Sequence, residues 1–240
     1  MLTITAFPVN YVLLLPRRVW NLLRTTLSIF WPTQRNKFNK QNKPLPFWIR
    51  PFYFIGILIC KIVDLSGITE LLDVIFMLTK YKTRSLTKLE IDEAIKVYGT
   101  NFPYWQIRID EHSLVAKIGA KMGGHPNLGM GLVLFRSINF NKQIYCKEGN
   151  GDMSWLIHEL MHVQQMQKIG SSYIIESLAA QHYWGYDFGS TKNVVNFTLK
   201  HFNIEQQAEI MKSFYQQSVY GEEPKETYQE ALKEMKLGLL

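Results

Sequence analysis

The sequence predicts an α+β protein that is mostly helical, with one small sheet placed ahead of a long central helix. Three observations carry this. Apolar residues recur at helical spacing through much of the 240-residue chain. Two capping-box patterns, Thr87 with Glu90 and Asn203 with Gln206, each open a helix. Alternating and β-branched runs are confined to residues 104–146, so strands and helices are segregated rather than interleaved.

The elements follow in order. Residues 1–31 are apolar with Arg17, Arg18 and Arg24 inserted, and Val19 to Phe30 has the spacing of an amphipathic helix ending near Trp31-Pro32. Residues 33–46 are polar, basic and rich in Asn and Gln, the composition of a linker or exposed loop. Residues 47–63 form an apolar helix. Its uncharged core, 51–60, is shorter than the roughly 20 residues that cross a bilayer. Arg50 and Lys61 bracket it and can snorkel, so an interfacial, marginally spanning or buried helix all fit. Residues 65–79 repeat the apolar helical pattern. The Thr87 box opens a helix that Gly99 stops. Residues 104–110 alternate as a strand, 114–118 read as a second, and glycine-rich 119–131 as a loop. Residues 132–140 read as a strand pairing with 144–146 across Asn141-Lys142. Asn150 or Asp152 caps the central helix, 153–169, which Gly170 ends. Leu156, Leu160 and Val163 face the core. A helix over 173–183, a loop over 184–190, the Asn203 helix to Tyr220 and a last helix from Pro224 to about Leu237 complete the chain.

Charge is unevenly spread. The formal net charge is +7, but residues 1–88 hold 13 Lys/Arg against 3 Asp/Glu, and residues 89–240 hold 14 against 17. The chain therefore divides into a basic, aromatic, apolar helical segment, 1–84, and a second domain, 85–240. A segment of the first kind suits either packing against its neighbour or a membrane surface, through residues 1–80. No helix-turn-helix, zinc-finger or RNA-binding signature accompanies it, so nucleic acid is not expected as a partner. Cys60 and Cys146 are too few for a disulfide framework. The N-terminus lacks the charged region of a secretory signal, and the expected compartment is intracellular.

Chemistry concentrates at His158-Glu159-Leu160-Met161-His162. Two histidines four apart share one helix face and reach one metal, and the glutamate between them can serve as general base to a metal-bound water. Catalytic zinc sites usually take three protein ligands and keep one position open. A histidine six residues after His162, with glycine at 165, is ruled out by Gln165 and Lys168. A later glutamate remains. Glu205 has Glu209 one turn on, placed to accept a hydrogen bond from a ligand imidazole. Glu176 is the other candidate, with Ala180 at the matching position. His125, His182 and His201 are weaker alternatives.

The block His158-Glu159-Leu160-Met161-His162-Val163-Gln164-Gln165 resembles the H-E-[LM]-x-H-V-x-Q start of a group of bacterial zinc metallopeptidases, often associated with contractile injection and type VI secretion systems. The segment Asn203 to Glu209 is similar to that group's N-x-E-Q-Q-A motif and to the E-x-x-A-[DE] of gluzincins. The resemblance covers about residues 85–220. It implies a zincin-like core in a bacterial cytoplasm, one Zn2+ held by His158, His162 and Glu205, Glu159 as base and Glu209 as the acid behind a ligand. An aspartate is more usual at that last position. The implied activity is zinc-dependent hydrolysis of a protein or peptide substrate. Tyr186, ahead of Tyr183 and His182, is the candidate to stabilise the oxyanion, and the strand around residues 132–139 is the candidate to bind extended substrate by its edge. The alternatives are a non-catalytic, zinc-stabilised structural or secretion-associated module, or a toxin-like proteolytic effector.

Overall fold

A computed structural model of the chain describes residues 2–30, 45–79, 82–122, 128–188, 199, 202–221 and 233, without the side chains of 2–11 and 28–30. Eight helices and four strands occur among them: α1 Leu2–Phe30, α2 Arg50–Leu65, α3 Ile68–Thr79, β1 Arg84–Ser85, α4 Lys88–Tyr98, β2 Arg108–Asp110, α5 Leu114–Met122, β3 Gly131–Leu134, β4 Ser137–Phe140, α6 Gly151–Ile169, α7 Ser172–Ala179 and α8 Ile204–Val219. The α+β, mostly helical class is as expected from the sequence.

The sheet is mixed, in the order β1-β2-β4-β3. β1 is antiparallel to β2, β2 runs parallel to β4, and β3 is antiparallel to β4 with Gly131 opposite Phe140. Among the described residues β3 is therefore a free edge. Ile107, Ile109, Val133, Ile138 and Phe140 from the sheet region meet Leu156, Leu160 and Met161 of α6 in one core, which α8 completes with Ile210, Met211 and Tyr215. α6 is buried along most of its circumference, as a helix placed between a sheet and a second helix must be.

Local chemistry sets the helix ends. The Thr87 and Asn203 boxes both close reciprocally, side chain to N3 amide and N3 side chain back to the cap amide. Asn150 accepts from the Met153 N–H at 2.8 Å and starts α6. Gly170 ends α6 at φ +72, where an L side chain is strained, and a Cβ there would also strike the Asp64 carboxylate at 2.0 Å.

Three strand expectations change. Residues 114–118 belong to α5: Ala116 and Ala120, four apart, face the core, and helical spacing wins over the β-branched composition. The first half of 104–110 is a 3-10 turn, Tyr104–Gln106, and only Arg108–Asp110 is strand. Residues 144–146 are not a strand. The hairpin turns at Phe135-Arg136 instead of Asn141-Lys142, and Tyr145 N–H is taken by the Asp152 carboxylate at 2.8 Å. Phe135 sits at φ +57, unusual for an aromatic residue, and distant groups hold it there. Its ring meets Phe76, its N–H points at Met166 Sδ, and Arg136 pairs with Asp73. The helix expected from Pro224 lies almost wholly outside the described residues, as does most of the 33–46 loop.

The first three helices pack on one another, and α2 also packs on α7. The buried residues of α2 and α3 are Ile57 and the polar Lys61, Asp64, Thr69 and Asp73. Lys61 Nζ donates to the Ile169 carbonyl at 2.6 Å and to Ser172 Oγ at 2.7 Å, and Asp64 accepts from Ser171 N–H at 3.0 Å and Thr69 Oγ1 at 2.7 Å. Arg18 pairs with Glu70.

Candidate metal centre

α6 and α8 lie against each other, the most extensive helix pairing among the described residues. Their pairing brings His158, His162 and Glu205 together. The two Nε2 atoms are 3.1 Å apart, and Glu205 Oε2 lies 3.2 Å from His162 Nε2 and 3.5 Å from His158 Nε2. In a tetrahedral site with bonds of about 2.0–2.1 Å, ligand atoms stand about 3.3–3.4 Å apart. The triangle has that size, and all three groups are buried.

Each corner is held from behind. His162 Nδ1 lies 2.8 Å from Gln165 Oε1, and Gln165 is locked in turn by the Ile204 carbonyl and Gln207 Oε1, both at 2.9 Å. His158 Nδ1 lies 3.3 Å from Glu209 Oε2. An Nδ1–H donated to these acceptors leaves each Nε2 lone pair aimed at the centre. Glu205 Oε1 accepts from Ser177 Oγ at 2.7 Å and Gln181 Nε2 at 3.0 Å, which leaves Oε2 for the triangle. Gln181 reaches it from a π-helical turn, Ala180–Trp184, that continues α7. The Tyr173 ring packs 5.4 Å from that of His162.

Glu159 follows on the same helix. Trp155 Nε1 donates to its Oε1 at 3.0 Å, while its buried Oε2 has no partner among the described residues. Gly131 of the edge strand covers it so closely that a Cβ there would lie 2.2 Å from Oε1. Burial pushes the Glu159 carboxyl up, against the pull of His158 and His162. Burial disfavours charge on His158 too, but the hydrogen bonds to Glu205 and Glu209 outweigh it and lift the imidazole to about 9. For Glu205, burial is outweighed by the two imidazoles, and the carboxyl is held well below its usual range. Glu209, also opposed by burial, is drawn to about 2 by His158 and Lys212.

The candidates of the sequence separate cleanly. Glu176 is not in the cluster; its helix contributes Ser177 instead. Tyr186 lies beside His158, ring centres 6.2 Å apart, and burial with the nearby Glu205, Glu159 and Glu209 raises its hydroxyl, so it stays a donor. His182 points Nδ1 at the Leu178 carbonyl, and Tyr183 is exposed. His125 and His201 lie outside the described residues. Gln165, Ser177, Gln181, Trp155 and Gly131 were not singled out as site residues in the sequence. Only Gln165, one turn after His162, carried a local signal. A cavity of about 320 Å3 lies apart from this cluster, between α1, α3 and the Phe135-Arg136 turn.

Comparison with known protein families, curated proteins and solved structures finds no match to this chain.

Proposed function

We propose that the protein is a zinc-dependent metallopeptidase with a zincin-like core, in which His158, His162 and Glu205 hold the metal and Glu159 is the general base. The observation that carries this is the buried triangle of two Nε2 atoms and one carboxylate oxygen, at the spacing of a tetrahedral site. Two imidazoles and one carboxylate are a donor set that suits zinc, and the unpartnered Glu159 Oε2 stands next to them.

A zinc ion held there would lower the pKa of a bound water toward about 7 and polarise a carbonyl. The chain's own groups do the rest. Glu159 takes the proton of the attacking water on Oε2, while the Trp155 N–H fixes Oε1, and then hands that proton to the leaving amine. Burial raises the Glu159 carboxyl, so it holds a proton more readily than an exposed glutamate does. Tyr186 keeps its hydroxyl proton and donates to the oxyanion that forms at the carbonyl. Asn141 N–H bonds the Met130 carbonyl, so by antiparallel alternation the backbone groups of Gly131 and Val133 point to the free edge of β3, where an extended peptide can pair.

Glu159→Gln tests the reading. It should keep stoichiometric zinc by elemental analysis and lose peptide cleavage by about 10²–10⁴-fold. Purified protein that takes up no zinc sinks the proposal. A wild type that holds zinc yet cleaves nothing, with the variant indistinguishable in its cellular role, favours the non-catalytic module instead.

A further inference from the structure

α2 and α3 are inside out. In a helix on the surface of a water-soluble domain the apolar stripe faces the core. Here the buried positions are Ile57, Lys61, Asp64, Thr69 and Asp73, four of the five polar or charged. The outward positions carry Phe52, Ile55, Ile59, Leu71, Leu72 and Ile75, each more than 40% exposed. Phe52, Ile55 and Ile59 recur at intervals of three and four, so the apolar positions form a continuous face. Each inward charge is matched inside the protein: Lys61 by a carbonyl and a hydroxyl of the α6–α7 turn, Asp64 by Ser171 and Thr69, Asp73 by Arg136. Charged groups turned inward and paired, with apolar side chains turned out, is the arrangement that hydrocarbon surroundings impose.

Charge is arranged to match. Residues 1–88 contain three acids, Asp64, Glu70 and Asp73; two are buried and the third pairs with Arg18. Arg17, Arg24 and Arg50 are exposed, as are Trp20 and Trp48, and aromatic residues beside cations favour the headgroup layer. Among the described residues no single helix is long and apolar enough to cross a membrane. α2 and α3 reach that apolar length together but bend by 78° at their junction. At about 1.5 Å per residue α2 is about 24 Å long, short of a hydrocarbon core of about 30 Å.

We propose that α2 and α3 form a bent wedge that inserts its Phe52–Ile59 and Leu71–Ile75 faces into one leaflet of an anionic lipid bilayer, without crossing it. The wedge is built into the catalytic half. Gly56 of α2 packs on Ile175 of α7, with room for a Cβ only at 3.3 Å from that side chain, and Tyr53 meets Trp184 edge-on at 6.3 Å. α7 also carries Ser177, which holds Glu205. The inference stands on the polarity of the two helices and needs no metal.

Flotation of the full chain tests it, with vesicles of phosphatidylcholine and phosphatidylglycerol beside phosphatidylcholine alone. The protein should float with the mixed vesicles, more weakly with the neutral ones, and stay bound in high salt, because the insertion is apolar. Phe52→Asp with Ile59→Asp should cut partitioning at least about tenfold without changing the unfolding midpoint, since both side chains are exposed. Leu71→Asp with Ile75→Asp is the parallel variant on α3. Quenching of wild-type tryptophan by brominated acyl chains gives a second reading that needs no substitution. Wild type that neither floats nor is quenched overturns the proposal. So do folded variants that bind as well as wild type, and so does self-association that the variants abolish in the absence of lipid binding, which would assign the face to a second copy.

Discussion

The seam beneath α2 and α3 and the cluster between α6 and α8 both bury ionisable groups, and they differ in what pairing leaves over. In the seam every carboxylate meets a donor of the chain, and Asp73 and Glu70 each face an arginine. Opposite charges cancel, and the product is adhesion between the N-terminal helices and the rest. In the cluster Glu205 bonds no lysine or arginine among the described residues. Two Nε2 atoms and one Oε2 crowd to within 3.5 Å, held by hydroxyl and amide groups, and the positive charge among them is a proton on His158. Three ligand atoms face one point with their other atoms tied back, and a metal ion can displace that proton. A closed ion pair glues; an unfinished one can take up a cation.

The sharpest way to break that contrast is to remove one corner of the unfinished set. Glu205→Ala should weaken zinc binding by about 10³-fold or more, measured by competition with a chromogenic chelator. Glu176→Ala, one helix away, should leave it unchanged. The reverse result would move the third ligand to α7 and undo the triangle. In the seam the largest effect should be on folding instead. Asp73→Ala strands the buried Arg136 guanidinium and should cost about 3 kcal/mol in urea unfolding, with zinc stoichiometry intact. Lost zinc there would mean that the two regions are not separable.

A smaller effect should come from the groups behind the corners. Gln165→Leu and Glu209→Leu remove the acceptors of the two Nδ1–H groups and should each lower zinc affinity by about 10–100-fold. The pH dependence sharpens the same point. His158 titrates at about 9 in the folded protein, above the unfolded value. Without zinc, its charged pair with Glu205 and Glu209 stabilises the fold fully below about pH 6.5, and that contribution is lost as pH rises through 9. Zinc displaces the same proton, so its affinity should climb about tenfold per pH unit over that interval. Thermal unfolding and metal titration between pH 6 and 9 should thus slope in opposite directions; parallel slopes would remove His158 from the site.

Much of the cluster was legible because its signals are local. Two histidines four apart, the Asn150 and Asn203 caps and the Glu205–Glu209 interval are statements about single helices, and helix geometry converts each directly into a shared face. What stayed hidden depends on which elements meet. Ser177 and Gln181 act on Glu205 across a gap of more than 20 residues, and nothing near them in sequence says so. The Phe135-Arg136 turn lacks glycine or asparagine because α3 and α6 hold it in place, so turn chemistry pointed to Asn141-Lys142 instead. The apolar period of α2 predicted a helix but not which face was outward. That reversal appears only when Lys61 and Asp64 find the α6–α7 turn.

Gly131 links the hidden and the legible parts. It was read as the end of a loop, yet it begins the edge strand and lies against the Glu159 carboxylate. A methyl group there would stand 2.2 Å from Oε1 and 2.5 Å from Cδ, closer than any real contact, so in Gly131→Ala the carboxylate must swing away from Trp155 Nε1. The backbone of a strand accepts alanine, and the three atoms of the triangle lie on other residues, so zinc affinity and unfolding should barely move. Turnover should fall by about tenfold, a fraction of the 10²–10⁴ that a general base supplies, since the displaced Oε2 no longer points where the attacking water must stand. Steady-state cleavage of a peptide, read beside zinc content, decides it. A Gly131→Ala protein with wild-type kcat would show that the position of Glu159 does not matter, and with that the two regions would differ in charge balance alone and not in chemistry.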